Sequence, residues 1–266
     1  MTKDRWHHRL TMTITLLMVL SCSRAAVAQT TPHQPVRHAE ALQLLQQCVA
    51  AMGRPVAPFS LTIDGTVSDA NSQGNSRPLH VESVGKHQER WQETFPDGLH
   101  IATVLGNSGH LTIANKATVL PVSETRMRTP ELIPIYACNP GRLRARMDVE
   151  YEGLEEHAGV SVDHIHIGFL DPSRTDRAHF LNAAVADLHV YLDHQTHFVV
   201  AIKRNIFSSQ VYENHISYEL RYSQFQPIAG VQMPFHIDRI VGGRSSSTVS
   251  IASIVPGGKF DDADFR

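Results

Sequence analysis

Signatures of nucleotide-binding proteins and of the commonest hydrolases are absent from this 266-residue chain. It has no Gly-rich phosphate loop, no dinucleotide fingerprint and no Gly-x-Ser-x-Gly elbow. It also lacks a cluster of Lys and Arg, which argues against a nucleic-acid partner. Beyond residue 28, no apolar run is long enough to cross a bilayer as a helix. We therefore expect a protein without enzymatic activity and without a cofactor.

Residues 1–28 resemble an export signal. The segment begins with the basic residues Lys3, Arg5 and Arg9 and continues with an apolar core at residues 10–20. A small-x-small cleavage site follows at residues 26–28. The apolar core is shorter than a membrane-spanning helix, although an uncleaved anchor remains an alternative. Residues 19–22 allow a second alternative, because Val-Leu-Ser-Cys resembles a lipobox, in which Cys22 would be lipidated and would anchor the protein.

The mature chain has the size of a single domain. Cleavage after Ala28 leaves about 238 residues, which one β-rich domain accommodates. The cleavage removes four basic residues and one acidic residue, so the formal net charge moves from −2 to −5. Residues 29–37 are polar and contain proline, and we expect a flexible leader there, followed by a single monomeric domain at 38–266.

Two cysteines remain in the mature chain, Cys48 and Cys138. A small, even number of cysteines in an oxidising compartment favours a disulfide. Closing a loop of about 90 residues would stabilise the fold by ~4–5 kcal/mol in the chain-entropy model. The alternative is two separate buried thiols that behave as small apolar side chains.

The period of the apolar residues predicts one long helix followed by strands. Residues 38–52 carry apolar side chains at helical spacing, and Gly53 with Pro55 predicts the end of that helix. From Phe59 the period changes to two, which predicts strands near 59–67, 79–85, 87–95, 99–105, 110–114 and 145–170. Residues 129–140 predict a short helix, and residues 171–187 a loop or short helix.

Four more alternating stretches run from residue 188 to residue 237. Side chains of a strand point alternately to opposite faces, so each stretch predicts a strand with one apolar and one polar face. The short connections between them predict antiparallel neighbours. The chain is therefore expected to be mainly β, in the α+β class, with a helix lying on the apolar face of the sheet.

Histidine is the residue type that most deserves a test for metal binding, since 15 remain after signal removal. His164 and His166 are two apart on a predicted strand, so both face the same side and are able to chelate a metal, as in a metal-dependent hydrolase. No His-Glu-x-x-His helix and no obvious acidic ligand accompanies them. We therefore assign no metal and expect solvated or hydrogen-bonded histidines on polar faces.

Motifs in the C-terminal half resemble the periplasmic LolA/LolB-like and RseB-like proteins. Residues 190–196 are similar to their strand with an Asp-x-x-Thr turn, and the next strand follows at 199–203. Residues 222–234 resemble their Tyr-x-x-aromatic and Gly-Val-x-hydrophobic-Pro strand pair, and residues 260–265 their closing Asp-Asp-x-x-Phe segment. The helix that ends at Gly53 is similar to the opening of the family.

This resemblance implies a strongly curved antiparallel sheet, an incomplete barrel, with helices covering its open apolar face. It further implies a periplasmic, non-enzymatic carrier that binds lipid, the acyl chains of lipoproteins or another hydrophobic ligand in outer-membrane lipoprotein sorting. The alternative is an RseB-like module that senses envelope damage through a protein partner. Candidate ligand-binding residues on the apolar faces are Trp91, Ile216, Tyr218, Leu220, Met233 and Phe235. Ordinary core packing is the competing interpretation of these side chains.

Overall fold

The computed structural model describes residues 34–57, 59–70, 75–85, 88–121, 124–125, 128, 131–138, 143, 147–168, 187–207 and 215–265. The predicted export signal, Cys22 and residues 29–33 of the predicted leader lie outside these ranges, as do residues 171–186 of the predicted loop. Within the described ranges, none of the helices is long and apolar enough to cross a membrane.

Strands make up most of this part of the chain. They are β1 (Ser60–Asp69), β2 (Ser76–Val84), β3 (Gln88–Phe95), β4 (Gly98–Leu105), β5 (Ser108–Ile113), β6 (Lys116–Val119), β7 (Asp148–His157), β8 (Val160–Gly168), β9 (Leu188–Asp193), β10 (Val199–Phe207), β11 (His215–Ser223), β12 (Gln226–Ile228), β13 (Val231–Met233), β14 (His236–Val241) and β15 (Arg244–Pro256). The helices are α1 (Ala39–Met52), the short α2 (Ile135–Cys138) and a 3-10 turn at Asp262–Phe265.

Thirteen of the strands form one antiparallel sheet in the order β6-β5-β4-β3-β2-β1-β15-β14-β11-β10-β9-β8-β7. β1 pairs with β15 in the middle, so the first and last strands join two meanders. β6 and β7 are its free edges, and the sheet is not closed into a barrel. The predicted fold class, mainly β with an open, curved antiparallel sheet, is therefore confirmed.

The motif at residues 190–196 owes its residue types to a tight turn. One carboxylate oxygen of Asp193 accepts hydrogen bonds from the backbone N–H of Thr196 at 2.7 Å and from the Thr196 hydroxyl at 2.8 Å. The Gln195 N–H donates to the same oxygen at 3.1 Å. These bonds lower the pKa of Asp193, although its partial burial acts in the opposite direction. The turn reverses the chain between β9 and β10.

The segment before α1 covers part of the β7 edge. Val149 and the segment exchange backbone hydrogen bonds, with the Val149 N–H donating to the Val36 carbonyl at 2.8 Å and the His38 N–H donating to the Val149 carbonyl at 2.9 Å. His38 Nδ1 also accepts a bond from the Tyr151 N–H at 3.1 Å. An edge strand with unpaired backbone groups invites pairing with other chains, and these contacts block part of it.

α1 ends at Gly53, as predicted, and the glycine is needed for two reasons. Its φ of +83° lies in the left-handed region, and its N–H donates to the Val49 carbonyl at 3.1 Å. A Cβ at this position would lie 1.9 Å from the carbonyl oxygen of Gly230, in the turn between β12 and β13. The end of the helix therefore packs directly on that turn.

Gly53→Ala is expected to lower the free energy of unfolding by more than ~1 kcal/mol, because the methyl group adds a clash with backbone to an unfavourable φ. Urea denaturation followed by tryptophan fluorescence measures the loss. Gly159→Ala is the matched control, since Gly159 has a φ of +82° but no atom within 4 Å of an added Cβ. Equal losses in the two variants would show that the contact with the β12–β13 turn has no weight.

The two mature cysteines lie together in the core and join α1 to α2. Both are buried thiols in this structure, and the Cys48 side chain is close enough to Cys138 to influence its pKa. Burial raises the pKa of the Cys138 thiol well above its ordinary value, and the neighbouring Cys48 reinforces the effect. The predicted disulfide remains a prediction, now between side chains that are adjacent.

We expect the pair to oxidise in the exported protein. Thiol-blocking alkylation of the unfolded mature chain, without reductant, should label neither Cys48 nor Cys138, and mass spectrometry after proteolysis should recover the linked peptides. Reduction should lower the free energy of unfolding by up to ~4–5 kcal/mol, the loop-closure contribution of a bridge of this span. A reduced Cys48→Ala/Cys138→Ala chain controls for reagent effects. Full labelling of both residues would contradict the disulfide.

Candidate functional site

The inner face of the sheet forms one continuous apolar interior. Alternate residues of β1, β2, β3, β8, β9, β10, β11, β14 and β15 contribute to it, and α1 and residues 132–138 close it from the other side. Its largest completely buried side chains are Leu45, Met52, Leu61, Ile63, Trp91, Leu132, Ile133, Ile165, Leu192, Ile202, Leu220 and Met233. Protein side chains therefore fill the interior in this structure, and no ligand can share it unless a covering segment moves.

Five of the six predicted ligand-binding side chains belong to this interior. Trp91, Leu220 and Met233 are at most 1% exposed. Tyr218 and Phe235 are partly buried and pack against the same cluster. Ile216 differs, since it lies near the start of β11 and is 49% exposed. The structure thus brings five of the candidates together, and their role in ligand binding stays a prediction.

α1 is the first of the two covering segments. Its buried side chains are Ala41, Leu44, Leu45, Cys48 and Met52, which recur at helical spacing. The end of α1 makes a second contact in addition to the packing of Gly53. The Val199 N–H of β10 donates a hydrogen bond to Met52 Sδ at 3.3 Å. Val199 adjoins an irregularity in the pairing of β10 with β9. The sulfur thus lies over a backbone donor at a break in the ladder.

Residues 131–138 form the second covering segment, and a buried ion pair attaches it to the sheet. Glu131 accepts two bonds at Oε1 from Arg239 of β14, from Nε at 2.6 Å and from a terminal nitrogen at 2.5 Å. The side chains of Arg239 and Glu131 are only 13% and 4% exposed. Burial alone would lower the pKa of Arg239, but the charge of Glu131 outweighs it and raises that pKa.

Trp91 lies beside this ion pair and within reach of two guanidinium groups. The guanidinium carbons of Arg128 and Arg239 are 5.1 Å and 5.8 Å from the centroid of its ring. The indole N–H donates to Glu89 Oε2 at 2.9 Å. Burial raises the pKa of the nearby Tyr218, and the charge of Glu131 adds to the effect. One part of the apolar interior therefore contains paired charges.

A cleft of about 410 Å³ opens next to the interior, at the end of the sheet that contains the β7–β8 and β9–β10 turns. Phe198 and Phe225 line it with Tyr222, and the rings of the two phenylalanines pack edge to face with centroids 5.2 Å apart. All three side chains also contact the core cluster. Arg221 and His157 lie on the polar side of the cleft.

Sequence reasoning missed the ion pair, although one signal for it was available. Arg239 lies two residues after Ile237, so the period of β14 places its charge on the apolar face. A charged residue at an inward position requires a partner of opposite charge. The identity of that partner was not predictable, because Glu131 is 108 residues away in the sequence.

The opposite, outer face of β8 and β9 carries the histidines. His164 and His166 share this face, as their spacing predicted, whereas the intervening Ile165 belongs to the core. His164 Nε2 lies 2.9 Å from His189 Nδ1, and His166 Nε2 lies 2.7 Å from Asp187 Oδ1. These histidines are hydrogen-bonded, which is one of the two states, solvated or hydrogen-bonded, expected for histidines on polar faces. His189 and Asp187 were not singled out from the sequence.

These contacts shift the pKa values in different directions. The hydrogen bond to Asp187 raises the pKa of His166, and partial burial only partly offsets it. Burial favours a higher pKa for Asp187, but the bond from His166 dominates and lowers it. Partial burial lowers the pKa of His164 and of His189.

Comparisons with known proteins establish the fold. No protein-family model matches the sequence, and no curated protein does. Solved structures do match. A LolA superfamily protein from Nitrosomonas europaea aligns at a TM-score of 0.51 and 12% identity, over 85% of this chain and 97% of that protein. A domain from Vibrio parahaemolyticus, named for outer membrane lipoprotein sorting, aligns at a TM-score of 0.53 and 10% identity, over 84% and 95%.

A DUF1329 family protein from Desulfovibrio piger is a third match, at a TM-score of 0.51 and 12% identity, over 85% of this chain and 96% of that one. Such low identity is evidence about the fold and not about the ligand. The resemblance that the C-terminal motifs predicted is confirmed at this level: the protein has the LolA-like fold.

Proposed function

We propose that the protein is an exported, non-enzymatic binder of ligands with acyl chains, which enter the interior when a covering segment moves. The observation that carries the proposal is the interior itself. The apolar face of an open sheet of thirteen strands packs against α1 and residues 131–138, together with the β12–β13 hairpin, whose Val231 and Met233 are buried in the same interior. An acyl chain that takes the place of covering side chains keeps this apolar surface out of water. Each Å² of apolar surface that stays buried contributes ~25 cal/mol of favourable free energy.

The fold supports a periplasmic location and lipid or lipoprotein acyl chains as partners. The Vibrio parahaemolyticus domain with this fold is named for outer membrane lipoprotein sorting. For this chain we propose binding of such ligands by a monomer. The cleft that Phe198 and Phe225 line adjoins the interior, since both side chains pack against the core cluster.

The ion pair between Glu131 and Arg239 bears on the kind of ligand. If residues 131–138 move away, Arg239 loses the carboxylate that neutralises it while Trp91 still covers one side of it. Breaking a buried pair and leaving one charge uncompensated costs ~3–5 kcal/mol. A ligand that brings its own anionic group offsets this cost. We therefore propose an acyl ligand with an acidic group.

The test compares a long-chain fatty acid with its methyl ester, using the delipidated mature protein and displacement of a fluorescent fatty acid. We expect the acid to bind at least ~10-fold more tightly. In Glu131→Gln/Arg239→Met, which removes both charges, the preference for the acid should disappear while binding of the ester persists. Native mass spectrometry of protein from an envelope fraction should show a co-purifying acyl compound.

Glu219→Gln is the matched control. Glu219 of β11 also pairs with an arginine, Arg221, at 2.5 Å, and with His157 at 2.9 Å, but it belongs to the outer face. This variant should keep the preference for the acid. Failure of both the wild type and the Glu131→Gln/Arg239→Met variant to bind either compound would contradict acyl binding. Equal binding of acid and ester would contradict only the role of Arg239.

The exposed β6 edge favours a second candidate, an interaction module with an envelope protein as partner. All four residues of β6 are exposed, and Val119 is 72% exposed. Such an edge accepts an added strand from another chain. Protein that carries no lipid, but whose crosslinks at Lys116 trap one specific envelope protein, would favour this candidate over the carrier.

A further inference from the structure

Two histidines and one carboxylate converge on the outer face of β8 and β9. His166, Asp187 and His189 each offer one ligand atom, and the three atoms lie within 4.8 Å of one another. All three side chains are half-buried, so they are held by neighbours and remain accessible. Ligands at ~2.0–2.2 Å from a tetrahedral zinc ion lie about 3.4 Å apart, so small side-chain movements are sufficient to enclose an ion.

We propose that His166, Asp187 and His189 bind a divalent metal ion of the zinc class. Two imidazoles and one carboxylate suit Zn²⁺, and Cu²⁺ or Ni²⁺ would compete for the same ligands. Three protein ligands leave a fourth position to water or to a group from another molecule. The site lies on the face opposite the interior and is independent of the proposed acyl binding.

The register of the sheet holds the ligands in place. His166 of β8 is directly opposite His189 of β9, and residues paired in this way have Cβ atoms about 4.5–5.5 Å apart. Asp187 comes two residues before His189, which is the spacing for the same face of an extended chain. The two imidazoles therefore approach each other because the strands pair, without any loop having to fold around the ion.

Further side chains orient the ligands from behind. His164 Nε2 contacts His189 Nδ1 at 2.9 Å, and His164 Nδ1 lies 3.4 Å from Glu155 Oε1. A carboxylate-to-histidine-to-ligand chain of this kind fixes ring orientation at metal sites, and it leaves His189 Nε2 for the ion. His166 Nδ1 likewise faces Glu152 at 3.9 Å. The rings of His166 and His189 stack with centroids 4.8 Å apart.

Metal binding replaces one contact of the present structure. His166 Nε2 and Asp187 Oδ1 are 2.7 Å apart and hydrogen-bonded. When both ligate the same ion they separate to about 3.4 Å, and the imidazole releases or redirects the proton that it shares with the carboxylate. The ion thus takes the place of that proton between the same two atoms.

Calorimetric titration of Zn²⁺ into the metal-stripped, full mature chain, without a polyhistidine tag, tests the proposal. We expect one ion per chain in the wild type. His166→Ala and His189→Ala should each weaken binding by at least ~100-fold, since loss of a ligand exceeds the ~10–100-fold effect of an outer partner. Zn²⁺ should raise the melting temperature of the wild type and not that of a His166→Ala/His189→Ala variant.

His164→Gln tests the positioning residue separately. It should keep a stoichiometry of one and weaken binding about 10-fold, and the visible spectrum of bound Co²⁺ should change because the geometry around the ion changes. The control is His80→Gln. His80 Nδ1 also lies 2.7 Å from a carboxylate, Asp64, but His80 belongs to no group of three converging ligands among the described residues. Absence of 1:1 binding in the wild type, or equal weakening by His80→Gln, would overturn the proposal.

Discussion

An antiparallel sheet with two free edges cannot bury its own apolar face, and most of the structure follows from this constraint. A closed barrel would enclose that face, but β6 and β7 do not pair with each other. The apolar face must therefore pack against something else, which here is α1, residues 131–138 and the β12–β13 hairpin. A face that is covered by separate segments is also a face that can be uncovered without breaking the sheet, because no ladder hydrogen bond of the sheet lies within those segments.

The attachments of the two segments differ in kind. α1 packs through apolar side chains, through Gly53 on the β12–β13 turn and through Met52 on a backbone donor. Residues 131–138 add one buried ion pair, between Glu131 and Arg239. A buried ion pair is poor evidence for stability, since replacement by apolar side chains is often neutral or favourable. Its physical effect here is specificity: it aligns one segment on one strand, and its loss leaves a charge that favours an anion.

The sequence was informative wherever the signal was local. The change of period at Phe59 and the end of α1 at Gly53 are properties of neighbouring residues, and the structure agrees with both. The Asp193 to Thr196 motif predicted a strand, a turn and a strand because one carboxylate closes that turn. Five of the six candidate interior residues were found from the alternation of their strands. The exception, Ile216, keeps the period but lies where the covering segments no longer reach it.

What the sequence could not give is the pairing of distant strands and the contacts that depend on it. The β1–β15 pair joins residues almost 190 positions apart, and the Glu131–Arg239 pair spans 108. Likewise, the spacing of His164 and His166 pairs two residues of one strand, whereas the three side chains that converge are His166, Asp187 and His189. The convergence of His166 with His189 requires the β8–β9 register, which no pattern within β8 contains.

The same alternation separates the two proposed activities. In β8, Ile165 and Ile167 are buried in the interior, while His164 and His166 lie outside with the carboxylates. A metal ion bound there would link β8 to β9 and make their pairing more rigid without contact with the interior. An acyl chain, in contrast, needs the covering segments to move and the strands to stay. A rigid sheet under a movable cover satisfies both requirements, so the two proposed sites share strands of the sheet but no side chain.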